Sequence, residues 1–186
     1  MPPAPNPAFS VRAARPADAS RMGAVQVAAW RVTHRALLGA RADSLDPARF
    51  AAAWADAIAL AAAPPAHHAA PAADDAAPPV HGRPAAPVVL AATATGSLVG
   101  FAAVAPSGDP DAAGRCAEIV ALEVDPPRRR AGHGSRLLAA AAAAARDAWG
   151  AAEVRIWVTA GDQARARFLA SAGFTPVSRS RPQSSA

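Results

Sequence analysis

The segment Ala117–Gly150 constrains the fold more than any other part of this sequence. It opens with a β-branched and aliphatic run, Ile119–Val124, which is typical of a buried strand. Asp125–Pro127 ends that strand, because proline supplies no hydrogen-bond donor to a sheet and fixes its own φ angle. After Ser135 the composition changes to Leu and Ala, the strongest helix formers, as far as Trp149. The segment therefore predicts a strand, a basic turn and a long helix.

This order of elements predicts a binding site for an anion. The first N–H groups of a helix have no partner inside the helix, and the helix dipole places partial positive charge there. Gly132 and Gly134 let the backbone approach a phosphate closely, and Arg128–Arg130 add charge. The turn lacks both the Lys-Ser/Thr ending of a P-loop and the three-glycine dinucleotide fingerprint. A pyrophosphate is the expected ligand; an ordinary glycine-rich turn without a ligand is the alternative.

The residues around the turn resemble the GNAT superfamily of N-acetyltransferases. Its signature is a strand ending in V-x-P, followed by R/Q-x-x-G-x-G/A at the start of a helix. The matching residues are Val124, Pro126, Arg129, Gly132 and Gly134. Three further stretches resemble the family's first strand and helix start, the strand after the long helix, and the N-x-x-A-x-x-F-Y-x-x-x-G-F segment. They are Phe9–Ala19, Glu153–Val158 and Asp162–Phe174.

The resemblance implies an α/β fold, a single GNAT-like domain with a mixed, splayed β-sheet and helices on both faces. Two adjacent parallel strands would separate to admit the pantetheine arm of acetyl-CoA, the co-substrate; no metal is implied. Strand backbone groups would pair with pantetheine, turn amides would hold the pyrophosphate, and the Val124 N–H would polarise the thioester. The implied coenzyme-binding positions are Leu122, Glu123, Val124, Arg129, Arg130, Ala131, Gly132, His133, Gly134, Ser135 and Asp162.

Three of these positions depart from the family pattern or leave a choice open. Arg130 stands where the family often has glycine, and Asp162 replaces the usual asparagine. The side chain of His133, which lies between the two glycines, is expected to point to solvent or to the coenzyme. Since most of the implied contacts use backbone groups, these departures are compatible with binding.

Glu118 is the candidate general base. It precedes Gly132 by the spacing at which some family members place a glutamate that deprotonates the acceptor amine, directly or through water. Alternatively, it pairs with an arginine or caps a backbone group. Glu123 is the weaker candidate, because regular alternation turns it to the other face of the strand. Leu169 occupies the position of the tyrosine that donates a proton in the family, and the chain contains no tyrosine. Water or Ser171 would therefore protonate the thiolate.

The remaining elements are predicted from periodicity and punctuation. A strand covers the first alternating segment, two helices follow, and a hairpin precedes the central strand. These are Phe9–Ala13, a helix from Pro16 to about His34, a helix beginning at Asp46-Pro47, and strands at Val88–Leu90 and Leu98–Val104 around Thr95-Gly96. The domain is expected to cover residues 9–180, with a flexible Pro/Ala-rich insertion at 63–87. Residues 1–8 and 181–186 are expected to be disordered.

The acceptor pocket is expected between the helix 1–helix 2 region and the hairpin. Arg31, His34 and Arg35 could receive an acidic acceptor; alternatively, Trp30 belongs to the core and its polar neighbours form a solvated face. His67, His68 and His81 do not predict a metal site, because the Ala/Pro-rich backbone around them cannot fix a geometry.

Composition narrows the partners and the compartment. All 19 basic side chains are arginine, and they are dispersed without aromatic stacking residues, which disfavours nucleic-acid binding. The lone Cys116 forms no internal disulfide, and no long apolar segment predicts a membrane span. These features favour a cytoplasmic protein that does not bind membranes; a homodimer is possible.

The predicted function is acetyl-CoA-dependent N-acetylation of a small-molecule or peptide amine by direct attack in a ternary complex. Cys116 lies at the outer start of the strand, which disfavours a covalent acetyl-cysteine route. A coenzyme-A-binding domain without catalysis is the alternative.

Overall fold

The computed structural model describes residues 9–63, 86–109 and 115–177. Expectations that concern residues 1–8, the 181–186 tail, most of the 63–87 insertion and its three histidines lie outside the described residues. Contacts divide the chain into a larger unit that ends at Ile156 and a smaller unit that begins at Trp157. In the described residues, no helix is long and apolar enough to span a membrane.

The helices and strands follow the order predicted from the sequence. The larger unit contains β1 (Phe9–Ala13), α1 (Ala19–Thr33), α2 (Arg35–Leu38), α3 (Pro47–Ala62), β2 (Val88–Ala94), β3 (Ser97–Pro106), β4 (Cys116–Val124), α4 (His133–Trp149) and β5 (Glu153–Ile156). The smaller unit contains α5 (Gln163–Ser171). Short 3-10 turns lie at Pro16–Asp18, Gly39–Ala42 and Pro126–Arg128.

The strands form a mixed sheet in the order β1-β2-β3-β4-β5. Neighbouring strands are antiparallel except for β4 and β5, which are parallel. The ladder between β3 and β4 is interrupted by a β-bulge: Ala103 pairs with Ala121, whereas Val104 pairs with Ile119. Val120 is therefore an extra residue in β4.

Two helices cover one face of the sheet and a third covers the other face. Directly opposed residues of neighbouring strands point to the same face, so Phe101 shares its face with Ala91 and Glu123. Helices α1 and α3 pack on this face around the fully buried Phe101, whose burial stabilises the fold by about 2–3 kcal/mol. Leu137 of α4 lies over Gly100 on the opposite face. The predicted arrangement of helices on both faces is confirmed.

Helix α3 begins where the sequence predicts. The Asp46 carboxylate accepts a hydrogen bond from the Ala48 N–H at 2.9 Å, and Pro47 occupies the first turn, where its missing N–H is not needed. Helix α1 approaches α3 closely at Gly23, and Met22 and Val25 are fully buried.

Candidate active site

The central strand β4 extends beyond its parallel partner. The pairing runs from Cys116 opposite Glu153 to Ile119 opposite Ile156, where β5 ends. β4 continues to Val124, and Val120, the bulge residue, is 56% exposed. The two parallel strands thus stop pairing in front of the segment that carries the predicted pantetheine-binding positions.

The turn after β4 presents the start of α4 without a side-chain cap. The residues before the helix adopt left-handed backbone angles at two positions, with φ of 65° at Arg130 and 78° at Gly132. The N-cap residue of α4 is Gly132, which has no side chain to accept a hydrogen bond from the first N–H groups of the helix. Ala131, Gly132 and Ser135 are exposed. Because the helix dipole adds partial positive charge, the turn is suited to bind an anion.

Two arginines fix the turn to its surroundings. The Arg129 guanidinium donates from Nε to the Val124 carbonyl oxygen at 3.3 Å, which holds the turn against the end of β4. Arg21 of α1 forms an ion pair with Asp125, the first residue of the turn. Arg128 and Arg130 are exposed, and their charge is directed at solvent or a ligand.

Of the two alternatives for the side chain of His133, solvent or the coenzyme, the structure contradicts the first. It is 8% exposed and stacks on Phe9 of β1, with ring centroids 5.0 Å apart. Arg136 covers the same phenyl ring at 4.5 Å. Burial, followed by the charges of Arg136 and Arg128, lowers the pKa of His133, and its Nδ1 has no hydrogen-bond partner among the described residues. His133, the first residue of α4, thus packs the helix against Phe9 of β1.

Glu118 and Glu123 share one face of β4, contrary to the expected alternation. Glu118 is opposite Ala105 and Glu123 is opposite Phe101; these β3 partners are four residues apart and therefore share the face on which α1 and α3 pack around Phe101. The reason is the bulge at Val120, which adds one residue to β4 and reverses the alternation after it. Both glutamates are 7% exposed.

One alternative for Glu118 was a pairing with an arginine. Arg155 of β5 lies directly opposite Glu118 in the sheet. Its guanidinium, however, forms ion pairs with Asp109 at 3.2 Å and with Glu153 at 3.1 Å. Arg155 thus has two other carboxylates as partners.

Trp30 connects helix α1 to the central strand. Its indole Nε1 donates to Oε1 of Glu123 at 3.3 Å, and its ring makes edge contacts with His34 and Phe50. Trp30 is half-buried. The alternative that places Trp30 in the core is met in part, because its half-buried ring packs on Phe50 of α3; the hydrogen bond to Glu123 was not anticipated.

The cationic side chains at the end of α1 are engaged within the chain. Arg31 donates to the carbonyl oxygens of Ala42, Asp43 and Leu45 at 3.1–3.3 Å. Arg35 forms an exposed ion pair with the Asp43 carboxylate. These bonds fix the connection between α1 and α3, so the idea that both arginines receive an acidic acceptor loses support.

Comparison with known proteins decides the family. The sequence profile of the acetyltransferase (GNAT) family matches residues 52–174, about two thirds of the chain. The chain belongs to the GNAT acetyltransferase family. No curated protein matches it in sequence.

Solved GNAT structures share the fold at low sequence identity. The PaiA N-acetyltransferase of Thermoplasma acidophilum, in complex with coenzyme A, has a TM-score of 0.68 and 17% identity, and the match covers 92% of each chain. YncA of Salmonella typhimurium, a putative acetyltransferase with acetyl-CoA, has a TM-score of 0.58 and 20% identity over 90% of this chain and 80% of that one. The aminoglycoside N-acetyltransferase AAC(6')-Iy with CoA has a TM-score of 0.64 and 13% identity over 100% and 98%.

The second GNAT segment forms α5 in the smaller unit. Asp162 precedes the helix, and its carboxylate accepts from the Arg165 N–H at 2.9 Å, which caps α5. Leu169, at the position of the family tyrosine, is buried, and the Ser171 hydroxyl donates to the Phe168 carbonyl oxygen at 2.7 Å. The carboxylate of Asp162 thus has a structural role that sequence reasoning missed; its contact with pantetheine stays a prediction.

Sequence reasoning also missed two contacts of this GNAT site. One is the Trp30–Glu123 hydrogen bond, and the other is the stack of His133 on Phe9. The bulge at Val120 has no signal in the sequence, because Val120 belongs to an otherwise regular run of strand residues. The stack of His133 does have a sequence signal: His133 precedes Leu137 by four residues, which places both on the buried face of α4.

Proposed function

We propose that this GNAT protein is an N-acetyltransferase that uses acetyl-CoA to acetylate an amine by direct attack in a ternary complex. The observation that supports it best is the uncapped start of α4 directly after a strand that outlasts its parallel partner. The uncapped helix start suits the pyrophosphate of the coenzyme, and the unpaired end of β4 leaves room for its extended pantetheine arm. Among the structural neighbours, PaiA is in complex with coenzyme A and YncA with acetyl-CoA.

The proposed coenzyme contacts are made mainly by backbone groups. Leu122, Glu123 and Val124 would pair with pantetheine, and the amides from Arg129 to Ser135 would hold the pyrophosphate. Arg128 and Arg130 would add electrostatic attraction, since both are exposed beside the helix start. The Val124 N–H would stabilise the negative charge that develops on the thioester oxygen.

The transfer step needs a neutral amine and a leaving thiolate. The amine nitrogen forms a bond to the acetyl carbonyl carbon, the carbon–sulfur bond breaks, and the sulfur leaves with the bonding electron pair. The proton lost by the amine goes to the Glu118 carboxylate, directly or through water, because a buried carboxylate on this face is a suitable base.

Water is the proposed proton source for the thiolate. Leu169 cannot donate a proton, and the Ser171 hydroxyl is used by the Phe168 carbonyl. Thiols have pKa values of about 8.5, so a thiolate is a good leaving group without a dedicated acid. We expect acetyl transfer to be slower than in family members that have the tyrosine, and we expect its rate to rise toward alkaline pH.

A covalent acetyl-cysteine route has no support in the structure. Burial raises the pKa of the Cys116 thiol, whereas a nucleophilic cysteine needs a lowered pKa. Cys116 also lies at the paired start of β4, away from Val124 at its other end.

Calorimetry with acetyl-CoA tests the coenzyme site. Gly134→Trp places a bulky side chain in the first turn of α4 and is expected to weaken affinity by at least about tenfold. Ala139→Trp, at an exposed position of the same helix, is the matched control and is expected to bind normally. Undiminished binding by the Gly134 variant would remove the proposed site.

A second candidate function is a coenzyme-A-binding domain without catalysis, and the observation that favours it is Leu169 in place of the tyrosine. Release of free thiol from acetyl-CoA over a broad amine panel separates the two. Tight binding without any turnover would establish the non-catalytic domain. For Glu118→Gln, an unchanged rate and pH profile would leave this residue without a catalytic role.

A further inference from the structure

We infer that His133 couples coenzyme binding to the uptake of a proton: the diphosphate binds beside a neutral imidazole and converts it to imidazolium, so affinity for the coenzyme increases as the pH falls. This inference rests on the proposed function and specifies a regulation of the same site. It concerns a side chain that the transfer step does not use.

His133 belongs to the turn that would hold the diphosphate. It is the first residue of α4, directly after Gly132, and its backbone N–H is one of the amides proposed to bind the diphosphate. Because the imidazole is attached to the same residue, it lies within the Debye length of about 10 Å at 0.1 M salt from an anion on those amides. The charge of that anion therefore acts on the imidazole through space.

The imidazole has an unsatisfied nitrogen. His133 is 8% exposed, and its buried Nδ1 has no hydrogen-bond partner within the part of the chain that the structure describes. Buried polar atoms nearly always have a partner, so one without a protein partner indicates a ligand, an ion or a water. In the first turn of a helix without a side-chain cap, an anion is the ligand of the expected sign.

Two arginines favour the neutral imidazole in the free protein. Burial is the largest cause of the lowered pKa of His133, and the charges of Arg136 in α4 and Arg128 in the preceding 3-10 turn follow. Both arginines are exposed, and neither is among the arginines that form ion pairs within the described residues. From β1, the imidazole meets the uncharged ring of Phe9. A bound anion is thus the counter-charge that this cluster needs.

A bound diphosphate would reverse the balance at His133. Its negative charges attract a proton to the imidazole, and they also offset the guanidinium charges that oppose protonation. The Phe9 ring, stacked at 5.0 Å, is compatible with imidazolium because an aromatic face attracts a cation. Since coupling between two ligands is reciprocal, a diphosphate that raises the proton affinity of His133 binds more tightly when His133 is protonated.

Calorimetry with 3′-dephospho-CoA between about pH 5.5 and pH 7.5 tests the coupling. This probe keeps the diphosphate but lacks the phosphate monoester of CoA, which itself titrates near about pH 6. We expect affinity to be at least about threefold higher at the acidic end, because bound diphosphate returns the pKa of His133 toward its ordinary value of about 6.5. Titrations in MES and in Bis-Tris, which differ in ionisation enthalpy, measure the proton uptake directly.

His133→Leu is the variant that decides the assignment. Leucine keeps an apolar contact with Phe9 and the backbone N–H of the turn, but it cannot take up a proton. We expect it to bind 3′-dephospho-CoA within about threefold of the wild-type affinity at about pH 7.5, and to lose both the pH dependence and the proton uptake. Ala139→Leu, at an exposed position of the same helix, is the matched control and is expected to keep both.

Proton NMR of the histidine rings gives a second measurement. The chain has five histidines, and the signal that is missing from His133→Leu, or from His133→Gln if the leucine variant does not fold, identifies His133. At about pH 6, 3′-dephospho-CoA is expected to shift the Cε1–H signal of His133 toward that of imidazolium. His34, on α1, is expected to keep its position.

The outcomes distinguish this inference from the proposed function. Binding of 3′-dephospho-CoA without proton uptake, or with a pH dependence that survives in His133→Leu, would overturn the role of His133 alone. An unshifted His133 signal in the complex would do the same. Absence of binding of both acetyl-CoA and 3′-dephospho-CoA at every pH would overturn the proposed function itself.

Discussion

Glu118 and Glu123 point to the same face of β4 because Val120, which lies between them, is an extra residue without a partner in β3. Without the bulge, residues separated by an odd number of positions would face opposite sides of the sheet. The bulge also leaves Val120 exposed where pairing with β5 stops. The extra residue Val120 thus places two buried carboxylates on the face of the sheet that α1 covers. It also lies where the edge of β4 is no longer paired with β5.

Gly100 is expected to be required for the close approach of β3 and β4. A Cβ at this position would lie 2.7 Å from the Glu123 carbonyl oxygen and 3.1 Å from Leu137 Cδ1. Gly100→Ala is therefore expected to lower the free energy of unfolding by about 1–3 kcal/mol and to weaken acetyl-CoA binding, because it displaces the end of β4. Urea denaturation and calorimetry measure the two effects. Gly108→Ala is the control, because no described residue other than its chain neighbours lies within 4 Å of the added Cβ; equal stability of both variants would contradict the prediction.

Gly23 is expected to set the distance between α1 and α3. Its Cβ would lie 2.4 Å from the Pro47 carbonyl oxygen and 2.6 Å from the Ala51 nitrogen, both backbone atoms that cannot move aside. Alanine gains about 1 kcal/mol in helix propensity, yet we expect Gly23→Ala to destabilise the protein by about 2 kcal/mol or more. Ser20→Ala, on the exposed side of the same helix, is expected to be neutral or slightly stabilising. A Gly23→Ala protein with a raised melting temperature would show that the helices can separate freely.

Arg130 adopts a left-handed conformation that glycine adopts without strain, with φ of 65°. Arg130→Gly is expected to raise the free energy of unfolding by about 1 kcal/mol, whereas Arg130→Ala keeps the strain and is expected to have little effect. Both variants remove the exposed charge beside the turn, so both are expected to weaken acetyl-CoA binding, more so at low salt. Thermal unfolding and calorimetry separate conformation from charge. Equal stability of the two variants would contradict the role of φ.

His133 is expected to make stability depend on pH. Burial lowers its pKa in the folded protein, so the unfolded chain takes up the proton first as the pH falls. The folded protein therefore keeps its full stability above about pH 6.5, the ordinary pKa of histidine, and loses it as the pH falls toward the lowered folded pKa. His133→Leu, which keeps an apolar contact with Phe9, is expected to remove this part of the slope. Urea denaturation between about pH 5 and pH 8 measures it, and an identical slope in both proteins would refute the assignment.

The positions of the main elements could be predicted because local signals specify them. Asp46-Pro47 begins α3 through a side-chain cap, and Thr95-Gly96 connects β2 to β3, as the sequence predicts. Val32 shows the limit of periodicity: it fits the helical spacing of α1, yet it is 61% exposed. Spacing predicts which side of a helix a residue takes, but not whether anything covers that side.

The amino-acid sequence alone determined the strand–turn–helix unit and indicated the family, because these depend on residues adjacent in the chain; anion binding at the turn stays a prediction. Only the tertiary structure decided that Glu123 joins Glu118 on one face, that Trp30 bonds to Glu123, and that His133 packs on Phe9. Each of these depends on strand register or on contacts between distant segments. A single bulge reverses the alternation, and free energy from packing, rather than any local pattern, selects where a buried side chain lies.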